Sequence, residues 1–516
     1  MLPRVFALAA LALACHPVGR DPARSGELRI NLKTEPPSLD WNLATDSVSI
    51  TVIEQLMRGL TRLGEDLRPK PALAERWEVS EDGRTYTFKL RRDVRWSDGV
   101  PLHAEQFVYG WQRLLAPETA AEYAYFLFPV KNARAFNSGE IRDAARVGVR
   151  ALDAHTLEVE LEAPLVYFPS LVNFMVTFPV RRDLIEKHGD AWTEPGRMES
   201  LGPFLLEEWW HEYRISLVAN PDYFGGRPSL ERIVGYMVEE DSTALVLFEQ
   251  GILDLVRLPP LEIRRYVGKP TYRSVAGLRG YYYGFNTTKP PFDDPRVRRA
   301  FALAIDRSEF PKLLKGGEIP AAYWIPPGMP HHNPDIGLPF DPARALRLLR
   351  QAGVVPAELA PIRVVYNSDQ THKLVAEKVQ AAWQQHLGVE VELQNREWKV
   401  FLKELTVDPP PVYRLGWGAD FPDPDNFINL FTSYSANNHT GWANARYDDL
   451  VERASRERDT GARQRLYDEA QRLLCEEEVP IVPLFVSSFN FAVAERVRGF
   501  VPNPMDIFFL EQVRVE

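Results

Sequence analysis

Three consecutive segments in the second half of the chain set the fold class. Residues 362–366 read as a strand, 373–387 as a helix stopped by Gly388, and 389–393 as a second strand. A strand, a helix and a strand in that order bring the chain back in its original direction, so the two strands must lie parallel. Parallel strands are covered by their crossover helices, so this region is expected to be an α/β lobe. Nearby helices are punctuated in the same way. Asp293-Asp294-Pro295 opens one that carries Val297, Phe301 and Ile305, and Asp341-Pro342 opens another that ends at Gly353. Both place proline in the first turn, where its missing N–H costs nothing. A further helix is expected over 463–474, with Cys475 at its end as a packed thiol, and a strand over 481–485.

The first half reads differently. Residues 28–32 alternate as a strand, and a helix follows over 47–59. A strand over 77–79, an Asp82-Gly83 turn and a strand over 86–90 make a hairpin, and 147–149 with 157–161 repeat it around Asp153. Between the hairpins, 104–115 has helical spacing with Phe107, Trp111 and Leu114 on one face. This is expected to be a small α/β unit. Strands at 214–218 and 233–238 and a helix at 241–250 then return to the first lobe. A chain of 516 residues exceeds what one core holds, so two or three domains are expected.

Composition narrows the functional classes. The net charge is -10 with no dominant basic patch, which argues against nucleic acid as a partner. The N-terminus carries Arg4, an apolar run over 5–14 too short to span a bilayer, and then Cys15. Ala12-Leu13-Ala14-Cys15 is similar to a bacterial lipobox, which makes Cys15 the expected lipidation site and 16–26 a flexible tether. An ordinary secretory signal with an incidental cysteine is the alternative. In either case the protein leaves the cytoplasm.

The candidate site is the stretch 414–431, R-L-G-W-G-A-D-F-P-D-P-D-N-F-I-N-L-F. Asp420 follows a Gly-Trp-Gly-Ala run, with Trp417 and Phe421 beside it. Gly416 and Gly418 have no side chain to keep another backbone away. A carboxylate at the end of such a track suits an extended chain that begins with an ammonium group. The plainer alternative is an Asp-Pro-rich turn in which Asp420 bonds its own backbone. The sequence has no HExxH, GxSxG or Walker A motif, and Asp420-Asp423-Asp425 lacks the spacing of an EF-hand. His331-His332 is expected to be a solvated pair. No catalytic constellation, metal site or cofactor is expected.

Several longer motifs carry a family resemblance. Leu90-Arg91-Arg92-Asp93-Val94-Arg95-Trp96-Ser97-Asp98-Gly99-Val100-Pro101 with Phe107 to Arg113, Asn220-Pro221-Asp222-Tyr223-Phe224, and Phe285-Asn286 with Pro291 to Arg298 occur in that order. Together they resemble the family 5 extracellular solute-binding proteins, the peptide-binding lipoproteins of ABC importers. Asn395-Arg396-Glu397-Trp398-Lys399 and Arg414 to Asp420 bring the chain nearest to the oligopeptide-binding members. The resemblance implies a bilobed periplasmic binding protein fold with mixed sheets, in which two hinged lobes carry a small extra domain. The division it implies is a signal peptide at 1–14, a lipid-attached tether at 15–27, and lobe I at 28–60, 181–275 and 487–516. The extra domain then covers 61–180 and lobe II 276–486.

It further implies that a peptide lies extended between the lobes, with Asp420 on its amino terminus. Arg414, His372 and Lys315 match basic positions that meet the carboxylates of peptides of different lengths. The backbone at 415–418, including Trp417 and Gly418, and that of Thr45, Asp46 and Ser47 on the opposite lobe would pair with the guest. Trp398 and Tyr123 match residues lining side-chain pockets. Gly418 replaces a cysteine found in some relatives, and Ser487 stands where relatives often carry an aromatic residue. The implied partners are an oligopeptide, an ABC permease with its ATPase, and a membrane through the lipid anchor. A monomer that is not an enzyme is expected. Other cargo (a dipeptide, a murein peptide or a chelated metal), an extracellular peptidase and a cytoplasmic sensor remain as alternatives.

Overall fold

The computed structural model describes residues 25–435 and 437–516, so the Cys15 lipidation site lies outside the described residues. The strand–helix–strand unit forms as the pattern requires. Strands Ile362–Asn367 and Val391–Arg396 run parallel over six residues, joined by the helix Gln370–Leu387. Asp369 caps that helix by accepting from His372 N, and Gly388 closes it at φ 73. Val375, Val379 and Trp383 form its buried stripe. The second strand starts two residues later than its apolar pattern suggests, at Val391, with Glu390 O accepting from Ile362 N at 2.8 Å just before it.

These strands belong to one mixed 11-stranded sheet. From one edge it runs Val391–Arg396, Ile362–Asn367, Val412–Gly418, Tyr272–Phe285 and Ile481–Val493. It continues through Leu255–Arg257, Glu27–Asn31, Arg232–Tyr236, Arg214–Ala219 and Phe204–Trp210, and Ile319–Pro320 joins Ile481–Val493 off this path. Two strands are far longer than their patterns suggest, Tyr272–Phe285 with 14 residues and Ile481–Val493 with 13. Their first-lobe ends pair Tyr272–Ala276 with 488–492, and their second-lobe ends pair Gly280–Gly284 with 481–486. The register shifts between Ala276 and Gly280. There Leu278 leaves the ladder, donating N–H to Pro504 O at 2.7 Å and accepting from Ala419 N at 2.8 Å.

The packing is bilobed. Leu28, Trp41, Ile53, Phe204, Ile233 and Phe491 share one apolar cluster, and Tyr283, Phe301, Val364, Trp383 and Val482 share another. The small extra domain carries a four-stranded antiparallel sheet in the order Ala74–Val79, Thr85–Leu90, Thr156–Glu160, Val149–Asp153. Helix Ala104–Leu115 buries Phe107, Trp111 and Leu114, and its core runs on into that of the first lobe.

Cys475 is buried in a wide turn, Leu473–Glu477, that follows helix Thr460–Arg472, and burial pushes its thiol pKa up. His331 and His332 are not a solvated pair. Both are half-buried: His331 Nδ1 meets Gln464 Oε1 at 3.2 Å, and His332 Nδ1 meets Ile325 O at 2.8 Å. The Pro-rich loop folds under the 460–472 helix, which supplies partners that the local sequence does not show. Among the described residues, no helix is long and apolar enough to cross a membrane.

Candidate functional site

The stretch around Trp417 is a strand with one open edge. Val412–Gly418 pairs with Tyr272–Phe285 along all seven residues. Its other neighbour, Ile362–Asn367, reaches only Val412 and Tyr413. The edge from Arg414 to Gly418 is therefore left without a ladder partner, and an extended chain could add there through main-chain hydrogen bonds. The two glycines do something different from what their sequence suggests. A Cβ on Gly416 would sit 2.9 Å from Gly280 O, and one on Gly418 would sit 3.3 Å from Arg279 Nε. They make room for the neighbouring strand of the same sheet.

Asp420 lies just past this strand. Asn426 Oδ1 accepts from both Asp420 N at 3.2 Å and Trp417 Nε1 at 2.8 Å, and so locks the turn to the strand. Beyond it the chain is pinned to the small domain through Tyr167 and to its own lobe through Arg463. The Phe421 ring stacks on Tyr167 at 5.2 Å, Tyr167 Oη donates to Asp425 Oδ2 at 2.6 Å, and Arg463 grips Asp423 through two contacts of 2.8 Å. Burial pushes the Asp425 carboxyl up to about 6. The carboxyl of Asp420 is likewise pushed up to about 6 by burial, opposed only by a hydrogen bond from Asn426. Among the described residues no cation pairs with it. Its negative field reaches Tyr123, whose phenol burial pushes to about 12, and Tyr125, which is raised further. These tyrosines come from the small domain, and Tyr123 Oη contacts Thr45 O at 3.4 Å. Asp46 is a helix cap. Its carboxylate accepts from Val48 N and Ser49 N, both at 2.9 Å, and its carbonyl accepts from Ile50 N at 3.1 Å.

The opposite end of the open edge is positive. Arg414 lies over the Tyr281 ring at 4.4 Å and donates to Asn367 Oδ1 at 3.1 Å. Its Nε is buried without a partner. His372 Nδ1 lies 3.3 Å from the same Tyr281 hydroxyl and 3.6 Å from Asp369. Burial, reinforced by Arg414, lowers its pKa to about 4, so it is neutral at pH 7. Arg414 and His372 thus form one cluster around Tyr281 rather than two separate stations.

Lys315 stands apart. It takes a left-handed φ of 59 as the cap of helix Glu309–Leu314, on a loop docked to the long strand by Asn490 Nδ2 to Gly316 O. Trp398 is exposed on the first turn of helix Trp398–Val407, against Phe401. Sequence reasoning missed Asn426, Tyr281, Tyr125 and Asn367. Each acts by position, and none sits in a recognisable local pattern. No group of three or more His, Cys, Asp or Glu among the described residues could hold a metal ion. An acid and a guanidinium that both lack an ion-pair partner among the described residues, at the two ends of an open strand edge, suit a zwitterionic extended guest.

Comparison with known proteins gives concordant results. Residues 68–439 match the family described as bacterial extracellular solute-binding proteins, family 5. The oligopeptide-binding protein OppA of Bacillus subtilis is 34% identical over 500 residues, spanning 93% of this chain and 91% of that protein. Among solved structures, the unliganded open form of the periplasmic murein tripeptide-binding protein MppA superposes with a TM-score of 0.85 at 32% identity. That match covers 97% of this chain and 99% of the other. Haemophilus influenzae OppA in complex with the peptide RPPGFSPFR gives 0.76 at 29% identity, covering 96% and 99%.

Proposed function

The chain belongs to the family 5 bacterial extracellular solute-binding proteins, and from that premise we propose that it captures extended oligopeptides for an ABC importer. Membership makes it a solute-binding protein of an exported class rather than an enzyme. The observation that carries the peptide reading is the open edge from Arg414 to Gly418, flanked by Asp420 and Arg414, neither of which has an ion-pair partner among the described residues. Main-chain bonds along the edge hold any sequence, and the two charged ends require a free amine and a free carboxylate. Thr45 and Ser47 offer backbone to the guest from the first lobe, and Tyr123 with Tyr125 walls the amine end. Trp417 and Trp398 face side chains, and Lys315 meets the carboxylate of longer guests.

Closure is a hinge in the two long strands, where their register shifts between Ala276 and Gly280. This point divides lobe I (28–60, 181–275 and 487–516) from lobe II (276–486), with 61–180 as the extra domain. The close superposition on an unliganded open form supports reading the present arrangement as the open cleft. The protein works as a monomer held to its membrane by a lipid on Cys15 and hands its cargo to a permease and ATPase. Native mass spectrometry of protein purified from its own host tests the cargo. Co-purified peptides with free termini are expected. A chelated metal or another ligand without an amine would overturn the reading.

A further inference from the structure

Arg279 is directly opposite Gly418 in the antiparallel ladder. Residues so paired project to the same face of a sheet. The guanidinium therefore lies over Gly418, close enough that a Cβ there would stand 3.3 Å from Nε. Solvent reaches the side chain, yet the surrounding walls desolvate it enough to hold its pKa below the usual guanidinium range. Among the described residues no ion pair or hydrogen bond satisfies it; the Phe489 ring lies 6.0 Å from Cζ. The acid in its field is Asp506, which is engaged by Arg257. Other arginines in crowded places are provided for: Arg463 has Asp423, and Arg307 has the Pro483 and Leu338 carbonyls. Arg414 adds a second like charge nearby. A solvent-exposed guanidinium without a counter-charge, set over a glycine, is free to take an anion from outside.

We propose that Arg279 is a specificity-determining residue that selects guests with a carboxylate side chain near their amino end. This rests on the peptide reading above. A guest added to the open edge lies two strand spacings from the strand of Arg279, about 10 Å. An arginine crosses that distance to meet Asp or Glu only if the strand between presents no side chain, and Gly418 provides the gap. With its amine at Asp420, two residues beyond Gly418, the guest runs antiparallel to this strand. One of its first three residues then pairs with Gly418 and turns its side chain to the face of Arg279. A lysine at that position would meet the same charge and be repelled.

The test is calorimetry of the intact protein with tetra-alanine and with tetrapeptides carrying one Asp or one Lys at each position in turn. At one of the first three positions Asp should bind about tenfold or more tighter than Ala, and Lys correspondingly weaker. The Asp-to-Ala affinity ratio should collapse toward one in Arg279→Gln, stay largely in Arg279→Lys, and be lost in Gly418→Val. A wild-type ratio of one at every position, or a ratio that survives Arg279→Gln, overturns the proposal. Tetra-alanine that binds and is weakened by N-acetylation keeps the peptide reading whatever Arg279 does. Binding of no peptide in the series removes both.

Discussion

Replacing Asp420 by asparagine keeps its shape and one acceptor but removes the charge. The structure sets the scale. Burial lifts the carboxyl from 3.8 to about 6, and at 1.36 kcal/mol per pH unit that is a cost of about 3 kcal/mol for keeping it ionised in the free cleft. A peptide ammonium brought beside it recovers that cost and adds a direct charge-assisted bond. The variant should therefore lose on the order of 2–5 kcal/mol, the range seen when one side of a buried pair is cut, or roughly 30-fold to several thousandfold in affinity. The amine is common to all peptides, so the loss should be similar across compositions. N-acetylated peptides should bind wild type poorly and lose little more in the variant.

The pH dependence has a definite sign. The free carboxyl is ionised above about 6, and a peptide amine stays charged up to about 8. Wild-type affinity should plateau between these values, and the acid limb should vanish in Asp420→Asn. The folded pKa lies above the unfolded one, so the folded state binds more protons between 3.8 and 6, and the full cost is present above 6. The ligand-free variant should then be more stable than wild type at pH 7, by up to about 3 kcal/mol, with the gain shrinking below pH 6. Calorimetry with two unrelated peptides, free and acetylated, together with thermal unfolding at pH 5 and 7.5, reads all of this. Equal wild-type affinity for the free and acetylated forms would refute the reasoning.

Arg414→Met removes the charge that helps hold His372 near 4, so the imidazole should titrate closer to its ordinary value of 6.5 in NMR, and carboxyl-terminal peptide recognition should weaken. His372→Gln should weaken peptides of the same lengths as Arg414→Met, because both side chains meet at Tyr281. Arg463→Met strands the buried Asp423 carboxylate and should cost about 3–5 kcal/mol in denaturant unfolding. Saturation with peptide should reduce the radius of gyration in small-angle scattering and raise the melting temperature, by about 2.7 kcal/mol of stabilisation at a hundredfold excess over Kd; no compaction would count against the hinge. Cys15→Ser should abolish lipid attachment and leave a soluble folded receptor, as read by membrane fractionation and intact mass.

The sequence by itself determined the local architecture. The 362–393 unit forms with only its second strand displaced, to Val391–Arg396, and the capped helices at Asp294 and Asp341 and the Phe107, Trp111, Leu114 stripe form where their periodicity and caps place them. These signals are legible because capping and hydrophobic period act over a few residues. The tertiary structure decided what depends on distant segments. The open edge exists because Ile362–Asn367 stops pairing after Tyr413, and nothing in residues 414–418 records that. Tyr281 became the centre of the positive end only because a strand, a helix start and Arg414 converge on it from positions 91 and more residues apart or across a ladder. The elevated pKa of Asp420 comes from burial between two parts of the chain, and Arg279 is left without a partner because register set it opposite a glycine. Charge and burial at a site are properties of everything within a few ångströms, and the sequence orders residues along the chain rather than by that distance.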